Sequence, residues 1–392
     1  MKEGWEYNSL GIVCKIYNGN SINADYKKTH YMGLSEGYPF IATKDVSFDG
    51  IINYKNGVRI PFDEGLKVAK PSSVFICVEG GSAGRKIGLV DREVCFGNKL
   101  FCLESKGSVL GSFIYYYLKS GLFQEQFAER LTGLIGGVSA KKFNDISIIY
   151  PPLSEQQRIV DYLDSAFANI DAMKANAEKS LNEAKALFQA SLKEMLEPKE
   201  GWEEKTLKEI TSEIGDGLHG TPKYSDDGNY FFVNGNNFEN GLIEIKDNTK
   251  RIGLEEYEKY KIDLNTSTVL LSINGTIGKT AFYDGEPIIL GKSACYINVL
   301  PALLKEYLRY FLLSDFFVIY AKKNARQATI VNLGLKELRN MPIPLPPLSE
   351  QQSIVATLDS LKSKVDRLQA NFEKISQECD ALKQAILRQV FE

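Results

Sequence analysis

The sequence is poor in the residues on which catalytic and metal sites depend. It has only two histidines, His30 and His219, and none of its six cysteines falls in a Cys-x-x-Cys spacing. Structural zinc sites and Ser-His-Asp hydrolases need such groups in close sets, so the sequence predicts neither. We expect the cysteines to be reduced and buried, where a free thiol packs as a small apolar group.

Long apolar runs are also lacking. The longest patch near the middle of the chain, YFLLSDFFVIYA, is interrupted by Asp315 and is far shorter than the ~20 residues of a membrane span. The N-terminus, MKEGWEYNSLG, has no apolar segment of the kind found in signal peptides. We therefore expect a cytoplasmic protein. Its 392 residues of ordinary composition predict two or three globular domains.

The chain does contain a repeat of its own sequence. PPLSEQQ occurs at residues 151–157 and again at 346–352, and EGW occurs at 3–5 and at 200–202. Short apolar runs such as YPFIATKDV and PIILGKSACYINV predict strands in each copy, and a longer apolar patch near the end of each copy predicts helix. We predict two α+β domains, at residues 1–150 and 201–345, each followed by a helical tail, at 151–200 and 346–392.

Each tail has the pattern of a long coiled-coil helix. Ser154 with Gln157, and Ser349 with Gln352, fit the capping box that starts a helix. Apolar residues then recur in steps of four and three, which is a heptad seam. The predicted seam comprises Ile159, Leu163, Ala166, Ile170, Met173, Ala177, Ala184 and Leu187 in the first tail, and Ile354, Leu358, Leu361, Val365, Leu368, Phe372, Ile375, Cys379, Leu382 and Ile386 in the second.

Two such helices would each be about 60 Å long, at ~1.5 Å per residue. We expect them to pack antiparallel within one chain and to hold the two domains at opposite ends, as a dumbbell with pseudo-two-fold symmetry. The alternative is that each helix pairs separately with another copy of the chain.

Two nucleotide-binding motifs are almost present. NGTIGKT, at residues 274–280, ends like a P-loop, but its glycines are too close together for the phosphate-wrapping loop. Its counterpart in the first copy, GSAGR at 81–85, keeps only a glycine turn followed by a cation. Residues 215–220 spell Gly-x-Gly-x-x-Gly, but the following TPKYSDDGN cannot form the helix that the dinucleotide fingerprint requires. The sequence therefore predicts glycine turns rather than nucleotide sites.

The chain as a whole closely resembles the specificity subunits of type I DNA restriction-modification systems. The phrases PIPLPPLSEQQSIVATLD and PPLSEQQRIVDYLD, together with GDGLHGTPKY and INGTIGKTAFY, carry the resemblance. It implies that each domain recognises one half of a bipartite DNA target and that the helices act as a spacer and a docking surface. It also implies that the chain has no catalytic residues and no cofactor of its own.

The resemblance further implies partners. Two methyltransferase (modification) subunits would bind S-adenosylmethionine and methylate adenine, and restriction subunits, where present, would use ATP and Mg²⁺. Charge alone gives a weak case for DNA, because residues 1–150 have 18 Lys and Arg against 15 Asp and Glu, whereas residues 201–345 have 17 against 19. Hence we expect the isolated chain to bind DNA poorly.

Candidate DNA contacts are polar or cationic loop residues, because these match base edges and phosphates. In the first domain they are Thr43, Lys44, Asp45, Arg85, Lys86, Lys141 and Lys142. In the second domain they are His219, Thr221, Lys223, Tyr224, Asn234, Asn236, Asn237, Asn274, Thr276, Lys279 and Lys292, with Lys322, Lys323 and Arg326 as further cations. The domains differ at these positions, so we expect different half-sites.

Two other classes of function remain open at this point. A nucleotide-binding protein would need Lys279 to hold phosphate, which the short loop argues against. A coiled-coil scaffold without DNA specificity would explain the helices but would leave the duplicated domains without a role.

Overall fold

The computed structural model describes residues 4–132, 136–325 and 332–392, and they form an α+β protein. The chain divides into two compact units of similar size. Unit 1 comprises Met1–Asn176 with Glu373–Glu392, and unit 2 comprises Ala177–Phe372. Each long helix therefore contributes residues to both units.

The globular part of unit 1 consists of strands, short helices and a 3₁₀ turn at Thr43–Asp45. Its strands are β1 (Glu6–Ser9), β2 (Cys14–Asn18), β3 (Tyr38–Ile41), β4 (Arg59–Ile60), β5 (Val68–Ala69), β6 (Val74–Cys77), β7 (Ile87–Leu89), β8 (Val94–Phe96), β9 (Leu100–Ser105) and β10 (Ser147–Tyr150). Its helices are α1 (Leu10–Val13), α2 (Ala24–His30), α3 (Gly111–Lys119), α4 (Gly121–Arg130) and α5 (Ala140–Asn144). The first long helix, α6, follows at Leu153–Leu196.

The globular part of unit 2 has 3₁₀ turns at Leu207–Ile210 and Gly235–Asn237. Its strands are β11 (Glu203–Thr206), β12 (Thr211–Asp216), β13 (Tyr230–Val233), β14 (Phe238–Glu239), β15 (Leu242–Ile243), β16 (Arg251–Ile252), β17 (Thr268–Ser272), β18 (Thr280–Phe282), β19 (Ile288–Leu290), β20 (Ala294–Val299) and β21 (Pro342–Leu345). Its helices are α7 (Leu254–Tyr260), α8 (Lys305–Leu313), α9 (Asp315–Asn324) and α10 (Leu335–Arg339), and the second long helix, α11, is Leu348–Phe391.

The two units share one topology, as the sequence repeat predicts. Unit 1 has an antiparallel sheet in the order β2-β9-β6-β7, and unit 2 has β12-β20-β17-β18 in the same order. A second sheet in each unit contains a parallel pair, β3 with β8 and β13 with β19. The first strand of each unit pairs with the strand that precedes the long helix, as β1 with β10 and β11 with β21. The predicted α+β repeat is therefore confirmed.

The apolar patches that end each globular part form two helices rather than one. In unit 1 the break lies at Ser120, whose hydroxyl accepts a hydrogen bond from the backbone N–H of Phe123 and so caps α4. In unit 2 the break lies at Ser314, whose hydroxyl donates to the carbonyl of Phe311. Both serines are fully buried, because α3 and α8 pack into the cores of their units.

The predicted long helices are confirmed, but the predicted capping box is wrong. Helix α6 begins at Leu153, one residue before the proposed cap, and Pro152 accepts backbone N–H groups from Glu155 and Gln156. Pro347 does the same at the start of α11. A proline carbonyl thus serves the first orphan donors, and the serine lies inside the helix.

The long helices pack against each other within each unit, and in unit 1 their contacts show an antiparallel arrangement. In unit 1, Lys174 pairs with Asp380 at 3.5 Å and Asp171 pairs with Lys383, so residue numbers fall on one helix as they rise on the other. In unit 2, the Lys185 ammonium donates to Gln369 at 2.8 Å. The helices therefore find partners within this chain, which disfavours separate pairing with other copies.

The predicted seam is correct in part. Leu163, Ile170, Leu358 and Val365 are buried, and Ile159, Leu361, Leu368 and Phe372 are half-buried. Three predicted seam residues are instead exposed: Met173, Leu187 and Leu382. On α6 the seam passes through Val160, Leu163, Phe167, Ile170, Leu181 and Phe188. The prediction chose apolar Met173 where the seam residue is Lys174, a cation whose ammonium reaches Asp380.

The cysteines are buried and free in all six positions, as predicted. Burial raises the pKa values of the Cys14, Cys95 and Cys102 thiols to about 12, so these thiols are neutral core groups at ordinary pH. Within the described parts of the chain, no helix is both long and apolar enough to cross a membrane.

Candidate functional site

The near-P-loop of the sequence is a turn between two antiparallel strands. Residues 273–279 connect β17 to β18, and no helix follows the glycines. Gly275 and Gly278 have φ values of +70° and +103°, which only glycine adopts without strain. In unit 1 the equivalent turn joins β6 to β7 and uses Gly80 and Gly84, with φ values of +82° and +75°. The counterpart of Gly275 is therefore Gly80, one residue earlier than the sequence comparison proposed.

Beside this turn, unit 2 has an open cleft of about 660 Å³. The end of β12 supplies Asp216, the following loop supplies His219, and the glycine turn supplies Asn274 and Thr276. Five of the predicted DNA contacts meet here. They are His219, Asn236, Asn274, Thr276 and Lys292.

The cleft walls are held by backbone and side-chain hydrogen bonds. The backbone N–H of Leu333 donates to the carbonyl of Ile273 at 2.9 Å, which fixes the segment before α10 to the glycine turn. The Asn274 amide donates to the carbonyl of Lys292 at 3.1 Å. His219 Nε2 lies 2.6 Å from Asp216 Oδ2. Lys292 and His219 are both exposed to solvent.

Unit 1 has an equivalent cleft of about 620 Å³. Here the end of β2 supplies Asn18, the glycine turn supplies Glu79, and the β8–β9 turn supplies Asn98. The backbone N–H of Val138 donates to the carbonyl of Val78 at 3.1 Å, as Leu333 does to Ile273 in unit 2. The two clefts therefore have the same framework.

What differs between the clefts is the chemistry of the side chains at matching places. Asn18 stands where unit 2 has Asp216, and Glu79 stands where it has Asn274. Asn98 stands where unit 2 has Lys292. Each exchange changes the set of hydrogen-bond donors and acceptors at a corresponding position of the shared strand topology.

Several predicted residues of unit 2 lie outside the cleft. Asn234 caps the 3₁₀ turn by accepting the backbone N–H of Asn236 at 3.0 Å. Asn237 is buried, and its amide bonds the backbone of Asn234 and Glu244 and the hydroxyl of Thr249. The remaining predicted residues are exposed or half-exposed elsewhere in unit 2: Thr221, Lys223, Tyr224, Lys279, Lys322 and Lys323.

Lys279, one of the predicted DNA contacts, already has a partner. Its ammonium lies 3.2 Å from Glu239 Oε2. Tyr224 has Lys250 over its ring at 5.7 Å, and the Lys223 backbone N–H donates to Glu256 at 3.0 Å. Arg326, a further predicted cation, lies outside the described residues.

The predicted residues of unit 1 do not line its cleft. Asp45 is buried and accepts the backbone N–H of Ala42 at 2.9 Å, which makes it the counterpart of Asn237 in the 3₁₀ turn. The Lys86 ammonium donates to the carbonyl of Thr43 at 3.0 Å, and Lys44 is exposed. Lys141 and Lys142 are exposed on α5, which begins at the cleft residue Ala140.

Arg85 faces a different groove of unit 1. This groove lies between the globular part and the helices and has Asp164, Asp171 and Lys119 among its lining residues. Arg85 also lies over the Phe48 ring, 5.2 Å from its centroid. Its surroundings are therefore acidic and aromatic.

Sequence reasoning missed the polar residues of the first cleft. Asn18, Glu79 and Asn98 occupy it, together with Tyr17, Thr132 and Ser139. Lys292 maps through the repeat onto Asn98. Asn274 maps onto Glu79 only in the register that the structure shows, in which Gly80 is the counterpart of Gly275. Among the described residues, no group of His, Cys, Asp and Glu side chains is arranged to hold a metal ion.

A known family matches this chain twice. The model of the family described as "Type I restriction modification DNA specificity domain" matches residues 2–183 and again 199–377. The chain is 23% identical to the specificity subunit of the type I restriction enzyme EcoBI of Escherichia coli, over 99% of this chain and 86% of that protein. It is 26% identical to the MjaVIII specificity subunit of Methanocaldococcus jannaschii, over 95% of this chain and 89% of that protein.

Solved structures share the fold. A chain from a structure titled for complex assembly and conformational transition of the type I R-M system is 20% identical, with a TM-score of 0.77 and coverage of 100% of this chain and 98% of that one. The HsdS subunit from Thermoanaerobacter tengcongensis is also 20% identical, with a TM-score of 0.55 and coverage of 100% and 97%.

Proposed function

The chain belongs to the type I restriction-modification DNA specificity family, and from that premise we propose that its two clefts each read one half of a bipartite DNA target. Recognition of DNA by such a subunit directs the methyltransferase that acts with it. The geometry of the clefts supports the finer assignment, which is the choice of residues that contact bases.

The observation that carries the proposal is the pairing of a shared strand and turn framework with different polar side chains. A surface that only positions DNA would keep the same cations in both units, because phosphates are the same everywhere along the duplex. A surface that reads sequence must instead vary its donors and acceptors. The exchanges of Asn18 for Asp216, Glu79 for Asn274 and Asn98 for Lys292 are of this second kind.

The chemistry of base edges gives each cleft a preference. A carboxylate such as Glu79 accepts from the amino group of cytosine, and an amide such as Asn98 suits adenine. In unit 2, Asn274 suits adenine and Lys292 suits guanine. We therefore assign base reading to the cleft residues, and we assign Asn237 and Asp45 to the framework because their side chains are buried.

The partners follow from the same proposal. Two methyltransferase subunits supply S-adenosylmethionine and adenine methylation, and a restriction subunit, where one is present, supplies ATP-dependent cleavage with Mg²⁺. The chain itself contributes recognition and no catalytic group. The weak net charge of residues 1–150 and of residues 201–345 supports a division of labour in which partner subunits provide much of the phosphate neutralisation.

The test is DNA binding by the purified chain, alone and with its methyltransferase subunits. The chain alone should neither methylate DNA nor bind ATP, and the complex should shift a duplex that carries the target far better than a scrambled one. Methyl transfer by the chain without a partner would contradict the proposal. Sequence-independent binding by the complex would favour a scaffold instead.

A further inference from the structure

The repeated PPLSEQQ phrase places a fully buried glutamine at the start of each long helix. Gln156 and Gln351 have no exposed surface, whereas the next residues, Gln157 and Gln352, are exposed. Burial of an amide without partners would cost about 1–3 kcal/mol, so an amide in this position must be hydrogen-bonded. Both are, and in the same way.

Each buried amide joins the long helix to the loop that leads into a helix of the globular part, α3 in unit 1 and α8 in unit 2. Gln156 Oε1 accepts the backbone N–H of Leu110 at 2.8 Å, and Gln156 Nε2 donates to the carbonyls of Ser108 at 3.0 Å and Pro151 at 2.8 Å. Leu110 is the N-cap residue of α3, directly before its first residue, Gly111.

In unit 2 the same bonds recur. Gln351 Oε1 accepts the backbone N–H of Leu304 at 2.9 Å, and Nε2 donates to Ala302 and Pro346, both at 2.9 Å. Leu304 is the N-cap residue of α8, directly before its first residue, Lys305. Corresponding distances in the two units thus agree to about 0.1 Å.

A second contact lies eight residues further along each long helix. The Tyr116 hydroxyl donates to Asp164 at 2.5 Å, and the Tyr310 hydroxyl donates to Asp359 at 2.5 Å. Eight residues span about 12 Å of helix. Each globular part is therefore bonded to its own helix at two separated points, and two points fix an orientation where one would allow a pivot.

We propose that Gln156 and Gln351, together with the Tyr116–Asp164 and Tyr310–Asp359 pairs, are positioning residues that set the angle of each globular part on its helix and so select the number of base pairs between the two half-sites. This rests on the proposed recognition of a bipartite target. Apolar contacts alone are non-directional, whereas these hydrogen bonds are directional.

The geometry of DNA makes such an angle consequential. A tilt of about 10° moves a surface roughly 30 Å from the pivot by about 5 Å, for a unit of this size. The rise per base pair is about 3.4 Å. A loosened attachment therefore lets a cleft reach a half-site that is displaced by one base pair, while the base-reading side chains stay unchanged.

The experiment is adenine-methylation mapping in cells that carry the chain with its methyltransferase subunits. The variants are Gln351→Leu, which removes all three bonds, and Tyr310→Phe, which keeps the ring and removes one. Gln352→Ala, an exposed neighbour in the same phrase, is the matched control. We expect the wild type and the control to methylate one spacer length, and both test variants to methylate sites one base pair longer or shorter about tenfold more often, with both half-sites unchanged.

The positioning role and the proposed DNA recognition are refuted by different results. A folded Gln351→Leu protein that keeps a single spacer length would overturn the positioning role. If that variant does not fold, as thermal melting would show, a single spacer length in Tyr310→Phe would overturn it instead. A wild type that methylates no bipartite motif would refute the proposed function itself.

Discussion

Two adjacent asparagines of unit 2, Asn236 and Asn237, should respond differently to the same substitution. Asn236 is exposed and lines the cleft, and within the described residues only its backbone is engaged in hydrogen bonds. Asn237 is buried and uses its amide in three hydrogen bonds, to Asn234, Glu244 and Thr249, at 2.9 to 3.2 Å. Substitution by alanine should therefore lower stability at Asn237 and change base preference at Asn236.

The magnitudes follow from these contacts. Asn237→Ala loses three hydrogen bonds at about 0.5–1.5 kcal/mol each, so it should lower the free energy of unfolding by about 2–4 kcal/mol and leave base preference unchanged. Asn236→Ala should leave the free energy of unfolding unchanged within about 0.5 kcal/mol. It should cost about 1–3 kcal/mol in binding to the proper target and relax preference at one base pair of the second half-site.

The assay combines denaturant unfolding of each variant with binding of the assembled complex to duplexes that differ by single base pairs. Asn237→Ala is the control for general damage to unit 2, because it perturbs the same turn from inside. If Asn236→Ala leaves every base preference intact, the cleft assignment for this residue is refuted. If Asn237→Ala changes base preference without loss of stability, the framework assignment is refuted.

Three further predictions concern the seam, the cation of the glycine turn and a buried lysine. Leu358→Ala removes a fully buried side chain and should lower the free energy of unfolding by about 2–5 kcal/mol. Leu382→Ala changes an exposed side chain and should lower it by less than about 1 kcal/mol. Equal losses in denaturant unfolding would contradict the observed seam. Lys279→Ala should weaken DNA binding equally on all sequences and reduce its salt dependence by about one counterion. Glu239→Ala, which frees the Lys279 ammonium, should strengthen DNA binding. Burial, with a smaller contribution from Lys383, lowers the pKa of Lys119 to about 8 from the ordinary 10.5, while Asp49 and Asp171 oppose the shift. Between those two pKa values the unfolded chain binds more protons than the folded chain. The wild type should therefore gain stability relative to Lys119→Met as pH rises from about 8 to about 10. A difference in unfolding free energy between the two proteins that stays constant across that range would refute the pKa shift.

The sequence predicted the features that depend on regular patterns. The repeat predicted one topology for both units, and the heptad spacing predicted helices that the structure places at Leu153–Leu196 and Leu348–Phe391. Local pattern failed where a long-range contact decided the outcome. Lys174 holds a seam position because its ammonium reaches Asp380, and the apolar neighbour Met173 is left exposed.

The candidate site was predicted unevenly for a similar reason. In unit 2, five of the chosen polar loop residues meet in one cleft, and two of them, Asn274 and Thr276, belong to the glycine turn that the sequence marks. In unit 1 the cleft residues Asn18, Glu79 and Asn98 come from three separated strand ends, and no local motif marks them. The sequence also did not reveal that Asp45 and Asn237 are buried, because a polar side chain that stabilises a turn cannot be distinguished in sequence from one that contacts a ligand.

The central claim is that each unit reads its own half of one DNA target. Its most direct test is adenine-methylation mapping in cells that carry the methyltransferase subunits with either the wild-type chain or a variant with Asp216, Asn274 and Lys292 all changed to alanine. We predict a bipartite motif for the wild type, and for the variant loss of preference in one half with the other half unchanged. A contiguous motif in the wild type, or a change in both halves of the motif in the variant, would contradict the claim.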